Sequence, residues 1–245
     1  MTTGHSRAAL LLDRITASRR VSTPLLVALA VSALATAASW GLHDSAVATT
    51  VGAIFLGATW LLVLRPRDID TRSWGLGLGG VLDSPPAPWS VTVREALRAT
   101  GWATLLGVTI FPLFAVGFSR WWHAPTLGWA LPPRPLDAVL GQLIVVALPE
   151  EAFFRGYLQT ALDRALPMRV RVLGADLGPG ILIASALFAL GHLATIPSPA
   201  RLAVFFPSLV FGWLRARTKG IGAGVVFHAA CNLLSDGLAR GSGLH

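Results

Sequence analysis

The stretch Leu136–Leu158, LDAVLGQLIVVALPEEAFFRGYL, has the length of a bilayer-crossing helix, yet Glu150 and Glu151 stand side by side deep within it. A spanning helix needs about 20 mostly apolar residues. An ionisable group in hydrocarbon costs at least about 2.5–3.5 kcal/mol on insertion scales. One segment therefore indicates both a membrane location and a functional cluster.

Six further segments have a similar character: Pro24–Leu42, Ala46–Leu64, Ala99–Phe118, Gly180–Ile196, Leu202–Leu214 and Gly220–Leu238. The sixth of the seven in chain order, Leu202–Leu214, is short and reads as tilted or partly re-entrant. Composition agrees. Of 245 residues, 53% are hydrophobic and only 13% charged, about half the charge of a soluble domain. The predicted fold is an all-α, polytopic membrane helix bundle of about seven transmembrane helices. Its predicted divisions are a cytoplasmic N-terminal tail (1–23), N-terminal transmembrane helices (24–118), an interfacial loop (119–135) and a helical region carrying the chemistry (136–245). Four arginines precede the first apolar run, as in a signal peptide. That run is of spanning length, however, and reads as a retained helix.

The formal net charge of +8 does not indicate nucleic acid, because the arginines lie between apolar runs and form no stripe interleaved with aromatics. They set orientation instead. With the N-terminus inside, the cytoplasmic segments hold Arg7, Arg14, Arg19 and Arg20; Arg65, Arg67, Arg72, Arg94 and Arg98; Arg164, Arg169 and Arg171; and Arg215, Arg217 and Lys219. The opposite side holds Arg120, Arg134, Arg201 and Arg240. This bias predicts a cytoplasmic N-terminus. Trp121, Trp122 and Trp129, interleaved with prolines, read as an interfacial loop. Arginine in such excess over the single Lys219 suggests a GC-rich bacterial genome, hence a bacterial inner membrane.

The remaining polar residues sort by type. His5, His43, His123 and His245 lie outside the apolar runs, as does Asp68, whereas His192 and His228 lie inside them. The only asparagine, Asn232, follows His228 by one helical turn. Glu151 and Arg155 are four apart, the favourable order for an ion pair on one helix face. His228 and Asn232 share that spacing, as do Phe188 and His192. At 1.5 Å per residue, Glu150, His192 and His228 lie roughly 9, 18 and 12 Å from the cytoplasmic edge, close enough to meet.

These residues resemble the motifs of a known family. Glu150-Glu151-Ala-Phe-Phe-Arg155 resembles EExxxR, Phe188-Ala-Leu-Gly-His192 resembles FxxxH, and His228-Ala-Ala-Cys-Asn232 resembles HxxxN, in the order of the CPBP family. This family comprises the CAAX proteases and bacteriocin-processing (Abi) membrane proteases and includes the myxosortases. The resemblance covers Leu136 to Leu238 and implies an intramembrane endopeptidase acting on a membrane-anchored protein or peptide. It implies Glu150 and His192 as activators of water, and His228 and Asn232 as oxyanion partners. Glu151 with Arg155 reads as a structural charge pair.

Two mechanisms stay open. One is metal-independent activation of water by Glu150. In the other, Glu150, His192 and His228 hold a divalent metal such as zinc, although HExxH is absent and Asn232 is a poor zinc ligand. Cys231 reads as a small core residue, and Gly156, Gly220, Gly222 and Gly224 as sites of close helix packing. Pro149 is expected to kink its helix beside the carboxylates. The competing function classes are a proton-coupled transporter, since buried Glu and His also build relays, and a non-catalytic immunity or scaffold relative. No inverted repeat supports the former.

Overall fold

The computed structural model describes residues 7–66 and 69–244; His5, Arg67, Asp68 and His245 lie outside them. Seven helices dominate: α1 (Arg7–Gly41), α2 (Asp44–Thr59), α3 (Trp89–Trp121), α4 (135–165), α5 (Gly180–Thr195), α6 (Phe205–Thr218) and α7 (Gly222–Gly241). A single π turn, Trp60–Leu64, extends α2, and a 3₁₀ turn, Pro199–Val204, leads into α6. The all-α class expected from the apolar runs is what forms. Helix α1 starts well before Pro24, so residues expected in the tail are already helical.

Among the described residues, three stretches are long and apolar enough to cross a membrane: Ser18–Gly41, Ala46–Leu64 and Trp89–Trp121. Their flanks expose Leu26, Leu29, Leu34, Leu105, Val108 and Leu113. Water would penalise such a surface, whereas lipid tails solvate it. Helix α5 is a shorter apolar helix. Helix α4 changes register along its length.

One element departs from the all-α expectation. Val170–Val172 and Ala175–Leu177 pair antiparallel as β1 and β2, with Arg171 opposite Asp176. The turn residues Leu173 and Gly174 both have positive φ, 48° and 77°. Positive φ at both central positions is what a two-residue type I′ hairpin requires. The alternation in Val170-Arg171-Val172 is too short to stand out beside seven helical runs.

Two clusters hold the helices together. Phe55, Phe153, Phe154, Leu158 and Phe188 join α2, α4 and α5. Ala103, Phe211, Leu214, Ala223 and Phe227 join α3, α6 and α7. With lipid as apolar as the core, close packing takes over the role hydrophobicity has in water. Glycine makes it feasible: a Cβ at Gly52 would collide with the Val145 carbonyl, and one at Gly156 with Leu76.

The connections gather at two ends. At one, Arg164 bonds Ser73 (2.8 Å) and covers Trp74, Arg215 reaches Thr160 (3.2 Å), and Trp213 donates to the Val172 carbonyl (3.0 Å). At the other, Trp40 Nε1 donates to the Thr195 carbonyl (3.1 Å), and the Ala130 N–H to that of Gly237 (3.0 Å). The loops rich in arginine thus share one end of the bundle. The α1–α2 connection and the tryptophan-rich loop share the other.

Candidate active site

The site is organised by a register change in α4. Proline at 149 has no N–H, so the Val145 carbonyl lacks its usual i+4 donor. The chain stays helical by widening on both sides. Gly141–Ala147 and Ala152–Gln159 are π-helical, around a single α turn Leu148–Glu151. Around Pro149, where a kink is expected, the structure has π-helical segments, a feature frequent at functional sites. It sets Glu150 and Glu151 on the short turn between them.

Glu151 is fully buried. Its Oε1 lies 3.1 Å from Arg155 Nη1 and 3.1 Å from His228 Nδ1. The i, i+4 pair read from sequence is present, and α7 completes it with a histidine. Gly224 permits this approach, since a Cβ there would lie 2.9 Å from Glu151 Oε2. The packing expected at Gly156 and Gly224 is observed, whereas Gly220 and Gly222 have only loose neighbours.

Arg155 is likewise buried, and its guanidinium is held from several sides. Nη2 donates to Ser208 Oγ (2.6 Å) and to the Ser208 carbonyl (3.3 Å) on α6. Its Cζ lies 4.5 Å from the Phe188 ring centre and 5.1 Å from that of Phe211. A charge inside a helix bundle needs such paired and π-face contacts to offset its lost hydration.

His228 stacks on Phe211 at 4.6 Å, with the rings 13° apart. An ionised Glu151 can only accept, so Nδ1 carries a proton. The other nitrogen, Nε2, faces Glu150 Oε2 at 3.7 Å, beyond hydrogen-bond length. Glu150, Glu151, Arg155 and His228 therefore form one connected charge cluster.

His192 and Glu150 both line a cavity of about 450 Å³. The His192 Nδ1 is 2.9 Å from the Phe188 carbonyl, one turn back, which orients the ring and leaves Nε2 free of that contact. Phe55, Phe154 and Phe188 contribute to the same walls.

Asn232 is placed differently from the expectation of a group converging with His228. Its Nδ2 donates to Gln142 Oε1 at 2.8 Å, and neither Asn232 nor His228 lines the Glu150–His192 cavity. Gln142 and Ser208 were not singled out from sequence. A signal existed for Gln142: the chain has only two glutamines, Gln142 and Gln159, both in or beside the α4 apolar run. Ser208 carried no such signal.

The metal reading fares less well. Among the described residues no three His, Cys, Asp or Glu side chains gather as a ligand set. His228 commits Nδ1 to Glu151, and only its more distant nitrogen faces Glu150. As arranged, Glu150, His192 and His228 do not fit a metal. Cys231 packs at the edge of the α3–α6–α7 cluster, as expected of a small core residue.

Comparison with known families gives one match: residues 132–234 match the family model described as type II CAAX prenyl endopeptidase Rce1-like. No curated protein and no solved structure matches the chain.

Proposed function

We propose, from the match of residues 132–234 to the family model described as type II CAAX prenyl endopeptidase Rce1-like, that this chain is an intramembrane endopeptidase of the wider CPBP group. It hydrolyses a peptide bond of a membrane-anchored protein or peptide, as in CAAX-type, precursor or C-terminal sorting-signal processing. The observation that carries this reading is that Glu150 and His192 line one cavity within the helix bundle. A carboxylate and an imidazole facing a shared space can hold a water molecule between them and take its proton.

In this reading Glu150 is the base and His192 orients the attacking water. His228 and Asn232 supply donors to the oxyanion of the tetrahedral intermediate. His228 can donate to the oxyanion through Nε2 only when that nitrogen carries a hydrogen. Glu151 and Arg155 hold His228 in place. The bundle crosses a bacterial inner membrane about seven times with its N-terminus in the cytoplasm, as the positive-inside bias supports.

Termini-resolved mass spectrometry of cells carrying Glu150→Ala or His228→Ala, against wild type, tests the reading. Both variants should accumulate the same longer forms of membrane-anchored proteins. Unchanged termini in cells that still make and insert the variants would refute it.

A further inference from the structure

The β1–β2 hairpin joins α4 to α5 at the bundle end where the arginine-rich connections gather. A connection in that position ordinarily meets water and is polar. This one is apolar: Met168 is 70% exposed, Val170 65%, and Leu173, at the tip, 83%. Strand alternation puts Val170 and Val172 on one face of the hairpin and Arg171, with Asp176 opposite, on the other.

Leu173 is out of place for a second reason. Its φ of 48° is where a type I′ turn favours Asn, Asp or Gly, and where a bulky side chain crowds its own backbone. Gly174 fills the next position with the residue that the turn prefers. A leucine at the tip therefore carries a backbone penalty and also offers its side chain to water. Entry of that side chain into hydrocarbon removes the second cost and compensates the first.

The surroundings mark the height of a membrane surface. Trp213 Nε1 donates to the Val172 carbonyl (3.0 Å). Trp213 meets Trp102 edge to face at 5.6 Å, and Arg217 Cζ lies 5.0 Å from the Trp102 ring centre. Tryptophan collects where hydrocarbon gives way to headgroups, and arginine reaches past it to the phosphates. A Cβ on Gly174 would lie 3.3 Å from Arg217 Nε, so the turn and this guanidinium are neighbours. Arg169 bonds the carbonyls of Leu166 (2.8 Å) and Met168 (2.6 Å). Asp163 accepts from the Gly180 N–H (2.9 Å). On and beside the hairpin surface, Arg169, Arg171 and Arg217 thus outnumber Asp176.

We propose that the β1–β2 hairpin is an interfacial anchor for anionic lipid. Leu173, with Val170 and Met168 near it, dips into the hydrocarbon edge of one leaflet, while Arg171 and Arg217 engage the phosphates of anionic headgroups. Because the hairpin joins the helix of Glu150 to the helix of His192, the anchor ties the depth of both to the lipid surface. It requires a bundle embedded in a bilayer and is independent of proteolysis.

Site-directed fluorescence tests it. The chain has one native cysteine, so a Cys231→Ala background leaves single-cysteine proteins. A nitrobenzoxadiazole label would be attached at Leu173→Cys, or at Asp176→Cys as the control, in nanodiscs of phosphatidylcholine with or without phosphatidylglycerol. The readouts are quenching by nitroxides on the lipid acyl chains and reduction by aqueous dithionite. The Leu173 label should be quenched several-fold more, and reduced several-fold more slowly, than the Asp176 label. Phosphatidylglycerol should widen that contrast, and Arg171→Gln should abolish the gain.

Equal quenching and equal reduction at the two sites would overturn the anchor. So would a Leu173 label shielded from dithionite yet unquenched by lipid nitroxides, which would indicate a protein partner instead. Indifference to phosphatidylglycerol would refute the anionic headgroup. Since a label at the tip alters the tip, a second set carries it at Met168→Cys. There Leu173→Gly, which suits the turn, should lower quenching by lipid while the protein stays folded; unchanged quenching would overturn the role of Leu173.

Discussion

Replacing Arg155 with methionine keeps a long apolar stem and removes the guanidinium. The lost contacts are Glu151 at 3.1 Å, Ser208 Oγ at 2.6 Å, and the faces of Phe188 and Phe211. Two unit charges 3.1 Å apart attract by about 5 kcal/mol at an effective dielectric of 20, an upper figure before desolvation is subtracted. Removing one partner of a buried pair typically costs about 3–5 kcal/mol, since the other charge stays buried. Here that charge is Glu151, which is also the anchor of His228. We expect Arg155→Met to lose about 3–5 kcal/mol of folding stability, read by denaturant titration in detergent micelles. The double variant Glu151→Gln/Arg155→Met should lose less than the sum of its singles, by about 1–3 kcal/mol, because it leaves no orphaned charge. Glutamine retains an oxygen for the His228 Nδ1–H. A cost below about 1 kcal/mol for the single variant, or strict additivity in the double, would refute the buried-charge argument.

Other outcomes follow from the same geometry. Glu150→Gln should cut proteolysis by about 10²–10⁴-fold while the protein still inserts and purifies, as measured on a cleaved reporter. Gly224→Val should destabilise the detergent-solubilised protein and lower activity, because its Cβ falls 2.9 Å from Glu151 Oε2. Gln142→Leu removes the acceptor of Asn232 Nδ2 and should lower kcat more than it raises KM. Asp163, outside the spans, is pushed up by burial, while the Gly180 N–H, Arg169 and Arg215 pull it back down. A carboxyl raised in the folded state disfavours folding when ionised, and that penalty is relieved as pH falls through its folded value. Asp163→Asn should therefore flatten the pH dependence of stability on the acid side, whereas Asp163→Ala should lose the bond to Gly180 (2.9 Å) at all pH values.

Much of the site was legible because membranes tax polarity. With 13% charged residues, each carboxylate, imidazole or amide inside an apolar run stands out. Helical spacing alone predicted the Glu151–Arg155 contact, since residues four apart on one helix must be neighbours. The hairpin at 170–177 is not legible in the sequence because its alternation spans too few residues to register. The partnership of Asn232 with Gln142 was missed because its two members lie ninety positions apart on different helices.

Hydropathy and the 3.6-residue period are local properties, so the class of molecule, the inventory of polar groups inside apolar runs and the pairs within each helix can be read along the chain. How those pairs combine is set by the packing of one helix on another. That packing joined Glu151 to His228, separated Asn232 from the cavity, and brought Glu150 and His192 into the lining of one cavity. It also set Phe55, Phe154 and Phe188 together in the wall of that cavity. Each of these depends on the rotation and depth of one helix against another, which are fixed by close contacts such as Gly224 on Glu151 and Gly52 on the Val145 carbonyl. No spacing along a single chain encodes them.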